Sequence, residues 1–77
     1  MNYDITTGEG MSNAVRWTQA TFDAIKNGGK WAVPRSGTLI TIEHEHKTAY
    51  IQRGHTPDEG IEQVIEAMGW TVVVLDK

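Results

Sequence analysis

T-L-I-T-I-E-H-E-H-K-T-A-Y-I-Q-R, running from Thr38 to Arg53, reads as a β-hairpin with one buried face. With the turn centred on Glu45 and His46, Ile40 faces Ile51, Ile42 faces Ala49 and His44 faces Lys47. The aliphatic side chains then gather on one face, and Leu39, Thr41, Glu43, Thr48, Tyr50 and Gln52 take the other. A slip of one residue splits the three isoleucines between faces, so the register is tightly specified.

Upstream of the hairpin, Lys30-Trp31-Ala32-Val33 reads as a short strand that Pro34 confines to an edge or stops, because proline has no N–H to give to a ladder. Ser36-Gly37 then turns the chain into the hairpin. Before that strand, Met11, Val15, Thr18, Phe22 and Ile25 recur at helical spacing behind Ser12 as N-cap. This first helix is expected to end at Asn27-Gly28-Gly29, with Gly28 as the left-handed cap. Trp17 falls on the flank of its apolar stripe, where it covers the edge of a core. Residues 1–10 show no apolar period and read as a flexible lead-in, with Tyr3 and Ile5 able to add a short edge strand; residues 11–77 make a single domain.

Downstream, Thr56 as N-cap, Pro57 at the first helical position and Glu59 three residues beyond Thr56 form a capping box. Ile61, Val64, Ile65 and Met68 give the buried stripe of this second helix, Gly60 weakens its first turn and Gly69 ends it. Thr71 to Leu75 is a β-branched run, apolar on both faces, of the kind that suits an interior strand. The order is α-β-β-β-α-β, and the last crossover is right-handed and leaves its strands parallel. The expected fold is therefore an α+β two-layer sandwich: a four-stranded mixed sheet with both helices on one face. The last strand can lie beside the first or the third. The first is preferred, giving the order 4-1-2-3, because it buries the valine run. The expected core comprises Val15, Phe22, Ile25, Ile40, Ile42, Ile51, Ile61, Val64, Ile65, Met68, Val72 and Val74.

Composition removes whole classes of function. With 77 residues and no cysteine, there is no disulfide, no thiolate nucleophile and no cysteine-type zinc site. No apolar run approaches a membrane span, and the N-terminus carries Asp4 and Glu9 rather than a basic head before an apolar core, so a soluble, untargeted, cytoplasmic protein without a membrane partner is expected. A net charge of −3 argues against a general polyanion binder and is too weak for a DNA mimic. The charge is unevenly spread: residues 11–35 carry a net +3, residues 36–77 a net −4.

The stretch A-I-K-N-G-G-K-W-A-V-P-R-S-G-T-L-I-T-I, residues 24–42, followed by a capped acidic helix and a terminal apolar strand, resembles the small accessory proteins of tailed bacteriophages. That resemblance implies an early, host-interacting protein that binds and modulates or inhibits a bacterial component such as a polymerase, a nuclease or defence machinery. It assigns no functional residue.

Several groupings of side chains hold atoms that could do chemistry. His44, His46 and His55 with Glu43 or Glu45 hold nitrogen and oxygen ligands suited to zinc or nickel, but a solvated hairpin tip supplies neither fixed ligands nor supporting partners. General acid-base work by His44 or His55 with Glu43 or Asp58 lacks a closed pocket in so small a domain. Gly28-Gly29-Lys30 follows a helix, whereas phosphate loops precede one. The expectation is no catalytic residue, no metal and no cofactor.

Two surfaces remain. Glu59, Glu62 and Glu66 form an acidic ridge on the second helix, which makes a non-catalytic protein-binding module the first reading, because complementary charge steers protein partners. Lys26, Lys30, Trp31 and Arg35 form a basic, aromatic cluster that suits single-stranded nucleic acid, the second reading. Trp17, Lys30, Trp31 and Arg35 serve as the alternative protein interface, and self-assembly through exposed tryptophans is the third reading.

Overall fold

A computed structural model describes residues 7–34, 36–55 and 60–75. Along the chain run α1 (Gly8–Asp23), β1 (Lys30–Ala32), β2 (Leu39–Glu43), β3 (Thr48–Gln52), α2 (Ile61–Ala67) and β4 (Thr71–Val74). The hairpin has the expected register, with Ile40 opposite Ile51 and Ile42 opposite Ala49. His44 to Lys47 makes its turn, closed by the Lys47 N–H donating to the His44 carbonyl at 3.2 Å, with Lys47 at φ 48°. Trp31 extends the Ile40–Ile51 row on one side, Val74 on the other, and Val72 lies beside Ala49. This face carries both helices. Phe22 of α1, Ile65 of α2 and Trp70 close over Ile40, Ile42, Ala49 and Ile51 as one core.

The sheet is mixed and four-stranded, as expected for an α+β sandwich, but its order is β1-β2-β3-β4. The preferred order 4-1-2-3 is therefore wrong. β4 pairs parallel with β3, and as the outermost strand it leaves Val74 37% exposed instead of buried. The helices explain the order. Trp17 and Phe22 of α1 contact Trp31 on β1, so α1 occupies the β1 side of the shared face. A crossover helix overlies the strands it joins, and placing β4 beyond β1 would carry α2 across ground that α1 already holds.

Several boundaries shift. α1 starts at Gly8, not behind Ser12: Thr7 is its N-cap, and the Thr7 hydroxyl accepts the Gly10 N–H at 2.9 Å. The buried residues of α1 are Ala14, Thr18 and Phe22, while Val15 is only half-buried and does not join the core cluster. α1 also ends early, at Asp23, so Gly28 is not its cap. Gly28, at φ +83°, instead opens a β-bulge: its N–H donates to the Ile42 carbonyl, and the Ile42 N–H donates to the Gly29 carbonyl, both at 2.8 Å. Two residues on one strand thus oppose one on the other, with glycine at the left-handed position.

α2 starts at Ile61 behind Gly60, which sits at φ 86°. The capping box of Thr56, Pro57 and Glu59 lies outside the described residues, as do the Tyr3 and Ile5 edge strand and Arg35. The C-terminal end of α2 is as expected. Gly69, at φ +89°, donates to the Glu66 carbonyl, and Trp70 donates to the Ile65 carbonyl at 3.3 Å, the two bonds of a Schellman motif. That motif packs the second residue past the cap against the helix's last turn, and Trp70 and Ile65 do share the core cluster.

Candidate functional site

Four of the polar side chains singled out in the sequence, Glu43, His44, His46 and Glu62, are held by the fold itself. His44 follows β2. Its backbone N–H donates to Asn27 Oδ1 at 2.9 Å, and its ring Nε2 donates to the Ile25 carbonyl at 2.6 Å. These bonds tie the α1–β1 loop to the hairpin tip. At the turn, Glu43 Oε2 accepts the His46 backbone N–H at 2.7 Å and stands 3.1 Å from His46 Nδ1. Glu43, Glu45 and His46 bring one ligating atom each within 4.8 Å of one another, the arrangement a divalent ion could use. The turn itself accounts for that proximity, since Glu43 bridges to His46 in closing it. His55 is remote from this group: its ring lies against Gly37, beyond the opposite end of the hairpin. The three histidines therefore do not converge.

The acidic ridge is also partly occupied. Arg53 continues β3 on the face that carries the helices, and its Nε and Nη2 reach Glu62 Oε2 and Oε1 at 3.1 and 3.2 Å. This planar two-point pair fixes α2 to the end of β3. Glu66 is exposed, and Glu59 lies outside the described residues.

The basic cluster separates. Alternation along β1 turns Trp31 toward the helices and Lys30 toward the opposite, helix-free face of the sheet. Lys26 is exposed on the α1–β1 loop. What the fold adds beside Trp31 is Trp17, one of the alternative interface residues. The two rings meet edge-on with centroids 5.6 Å apart, and Trp17 keeps 37% of its surface open.

This pair is the outer end of an aromatic series. Trp31 meets Phe22 at 6.2 Å, Phe22 meets Trp70 at 5.1 Å, and Trp70 meets His44 at 5.7 Å, every contact edge-on. Such contacts contribute about 0.5–1.5 kcal/mol each beyond the area they bury. Trp17 is thus an exposed indole anchored through three core rings to the hairpin tip. The sequence placed Trp17 on the stripe's flank correctly, but only the packing of α1 beside β1 brings it to Trp31.

No described helix is long and apolar enough to cross a membrane. No protein-family model, no curated protein and no solved structure matches the chain.

Proposed function

We propose that the protein is a non-catalytic protein-binding module whose contact surface is the Trp17–Trp31 corner, and not the acidic ridge. The observation that carries this reading is Trp17, 37% open yet held edge-on by Trp31. A tryptophan already fixed in place gives up little rotamer freedom when a partner covers it, and tryptophan leads the residue types that dominate binding energy at interfaces. Glu62 is a weaker candidate because Arg53 holds its carboxylate, and a partner's cation would have to displace that bond. The resemblance to phage accessory proteins makes a bacterial host protein the partner class, bound so as to modulate or inhibit it. Single-stranded nucleic acid is the less favoured ligand: the chain is net negative, and Lys30 and Trp31 point to opposite faces.

The test compares wild type with Trp17→Ala and Glu66→Lys. Lysate capture, followed by titration of the retained protein in purified form, is expected to give one partner whose affinity falls at least tenfold with Trp17→Ala and stays within twofold with Glu66→Lys, at matched melting temperatures. The opposite ranking returns the interface to the ridge. A salt-sensitive shift of a labelled single-stranded oligonucleotide, with no protein partner, replaces the reading with the nucleic-acid one.

A further inference from the structure

The two edges of the sheet differ in a way that the protein-binding reading does not use. A free edge offers a row of backbone donors and acceptors to any other strand, and folded proteins blunt such edges with charge, proline, bulges or short length. The β1 edge carries all four devices: it is three residues long, starts at Lys30, has the Gly28 bulge just before it and Pro34 just after it. The β4 edge carries one only, its four-residue length. Residues 71–75 contain no charge, no proline and no glycine, and β4 pairs with β3 throughout without a bulge.

The backbone groups of this edge can be assigned. Thr71 donates to the Lys47 carbonyl and Leu75 to the Ile51 carbonyl, both at 2.8 Å. Alternation then turns the N–H and C=O of Val72 and Val74 away from β3. Among the described residues, nothing bonds to those groups. Val74 and Leu75, 37% and 44% exposed, are two of the three large apolar side chains left open among the described residues, the third being Trp17.

We propose that the outer edge of β4 is a self-association site, pairing antiparallel with β4 of a second copy of this chain about a two-fold axis at Val73. In that register Val72 lies opposite the second copy's Val74 and exchanges both backbone hydrogen bonds with it, and the symmetric pair does the same. Every outward donor on the edge meets an acceptor. Val73 meets its own counterpart in the closer, non-hydrogen-bonded position on the helix-free face, and Leu75 covers the second copy's Thr71. A foreign strand offers this match only by coincidence of sequence. A second copy offers it by symmetry, since an isologous contact needs only one self-complementary patch. The absence of charge from 71 to 75 lets two chains of net −3 meet here without opposing like charges. A strand pair this short falls below the ~1,200 Å² of total buried area found in stable interfaces, so the dimer is weak and concentration-dependent.

Sedimentation across a concentration series tests this. The average mass of wild type is expected to climb from 8.6 kDa toward twice that value, and Trp17→Ala is expected to climb with it. Val73→Lys and Val73→Glu, which set like charges face to face across the axis, should each remain monomeric, and an equimolar mixture of the two should regain the dimer. A wild type that stays monomeric up to about 1 mM, a range in which even complexes of only about −4 kcal/mol form, overturns the proposal. So does a Val73→Lys variant that associates like wild type, or a mixture no heavier than its parts. Should the charged variants fail to fold, amide exchange in wild type decides: Val72 and Val74 must slow as concentration rises, and unchanged rates refute the pairing.

Discussion

Gly54→Ala is the substitution on which the packing described above is most exposed to refutation. Gly54 lies where the chain leaving β3 passes the Ser36–Thr38 turn. A Cβ built there would overlap the Ser36 carbonyl oxygen and stand 2.6 Å from the Gly37 carbonyl carbon and 2.7 Å from the Thr38 nitrogen. All three are backbone atoms, so no rotamer change relieves the contact, and one segment must move away from the other. Movement of that size strains the hydrogen bond from the Gly54 N–H to Thr38 Oγ1, now 3.2 Å long. Overpacking costs about 1–3 kcal/mol and the lost bond about 1 kcal/mol; the stiffer unfolded chain offsets about 0.4–1 kcal/mol. The net loss is about 1–3.5 kcal/mol, centred on about 2, which in a domain of this size lowers Tm by roughly 5–25 °C. Gly8→Ala supplies the opposite sign. Gly8 is helical with nothing within 4 Å of its Cβ position, so alanine there should stabilise by about 0.5–1 kcal/mol. Thermal and urea melts followed by circular dichroism measure both. A Gly54→Ala protein that melts within a few degrees of wild type, or a Gly8→Ala protein that falls in parallel with it, refutes the close approach.

Three further outcomes are expected. Ile42→Ala removes a side chain with no exposed surface from the middle of the core and should cost about 2–4 kcal/mol in urea denaturation, against about 3–5 kcal/mol for Trp70→Ala, which also removes the contacts to Phe22 and His44. Zinc or a chelator should leave the melting curve where it is, because His44 is committed to the Ile25 carbonyl and the Glu43–His46 contact is already part of the turn; a sharp rise with zinc, or collapse with chelator, would show a metal-dependent fold. Glu62→Lys should lose up to about 1 kcal/mol, less at high salt, because it breaks an exposed ion pair, whereas Glu66→Lys should change stability by only a few tenths; equal losses from the two would mean that the Arg53 pair contributes nothing.

The hairpin was readable because its isoleucines tolerate one register only. The strand order was not, because the run Val72-Val73-Val74 carries the pattern of a fully covered strand and ends up at the edge. Apolarity on both faces says that a strand has two faces to protect, and it leaves open what protects them. On the helix side Val72 joins the core, and on the other side Val73 is half-buried next to Tyr50. Local order had the information that the valine run lacked: β3, a seven-residue α2 and a two-bond Schellman turn bring the chain back beside the strand it left. Trp70 was similarly available from the sequence. A glycine cap at Gly69 commits the residue after it to contact the helix's final turn, and a tryptophan in that position belongs in the core.

For the candidate surface, the difference between sequence and structure comes down to parity. Lys30 and Trp31 are adjacent in sequence and therefore on opposite faces of a strand, so a cluster read from proximity along the chain had to divide once β1 formed. The same parity places Arg53, two residues beyond Ile51, on the helix-bearing face, where it finds Glu62. With the ridge partly neutralised by its own strand and the basic cluster split across the sheet, charge no longer picks out a single interface. Among the described residues, the large apolar side chains left exposed lie on opposite margins of the sheet: Trp17 over β1, Val74 and Leu75 on or beside β4. Contact with a foreign protein at the first margin and with a second copy at the last can therefore occur together, since the whole width of the sheet separates them, and the dimer would present two tryptophan corners to a partner. For a bivalent or closely spaced partner, Val73→Lys should then weaken capture without touching the Trp17 site, while a monovalent partner in dilute solution should bind wild type and Val73→Lys alike.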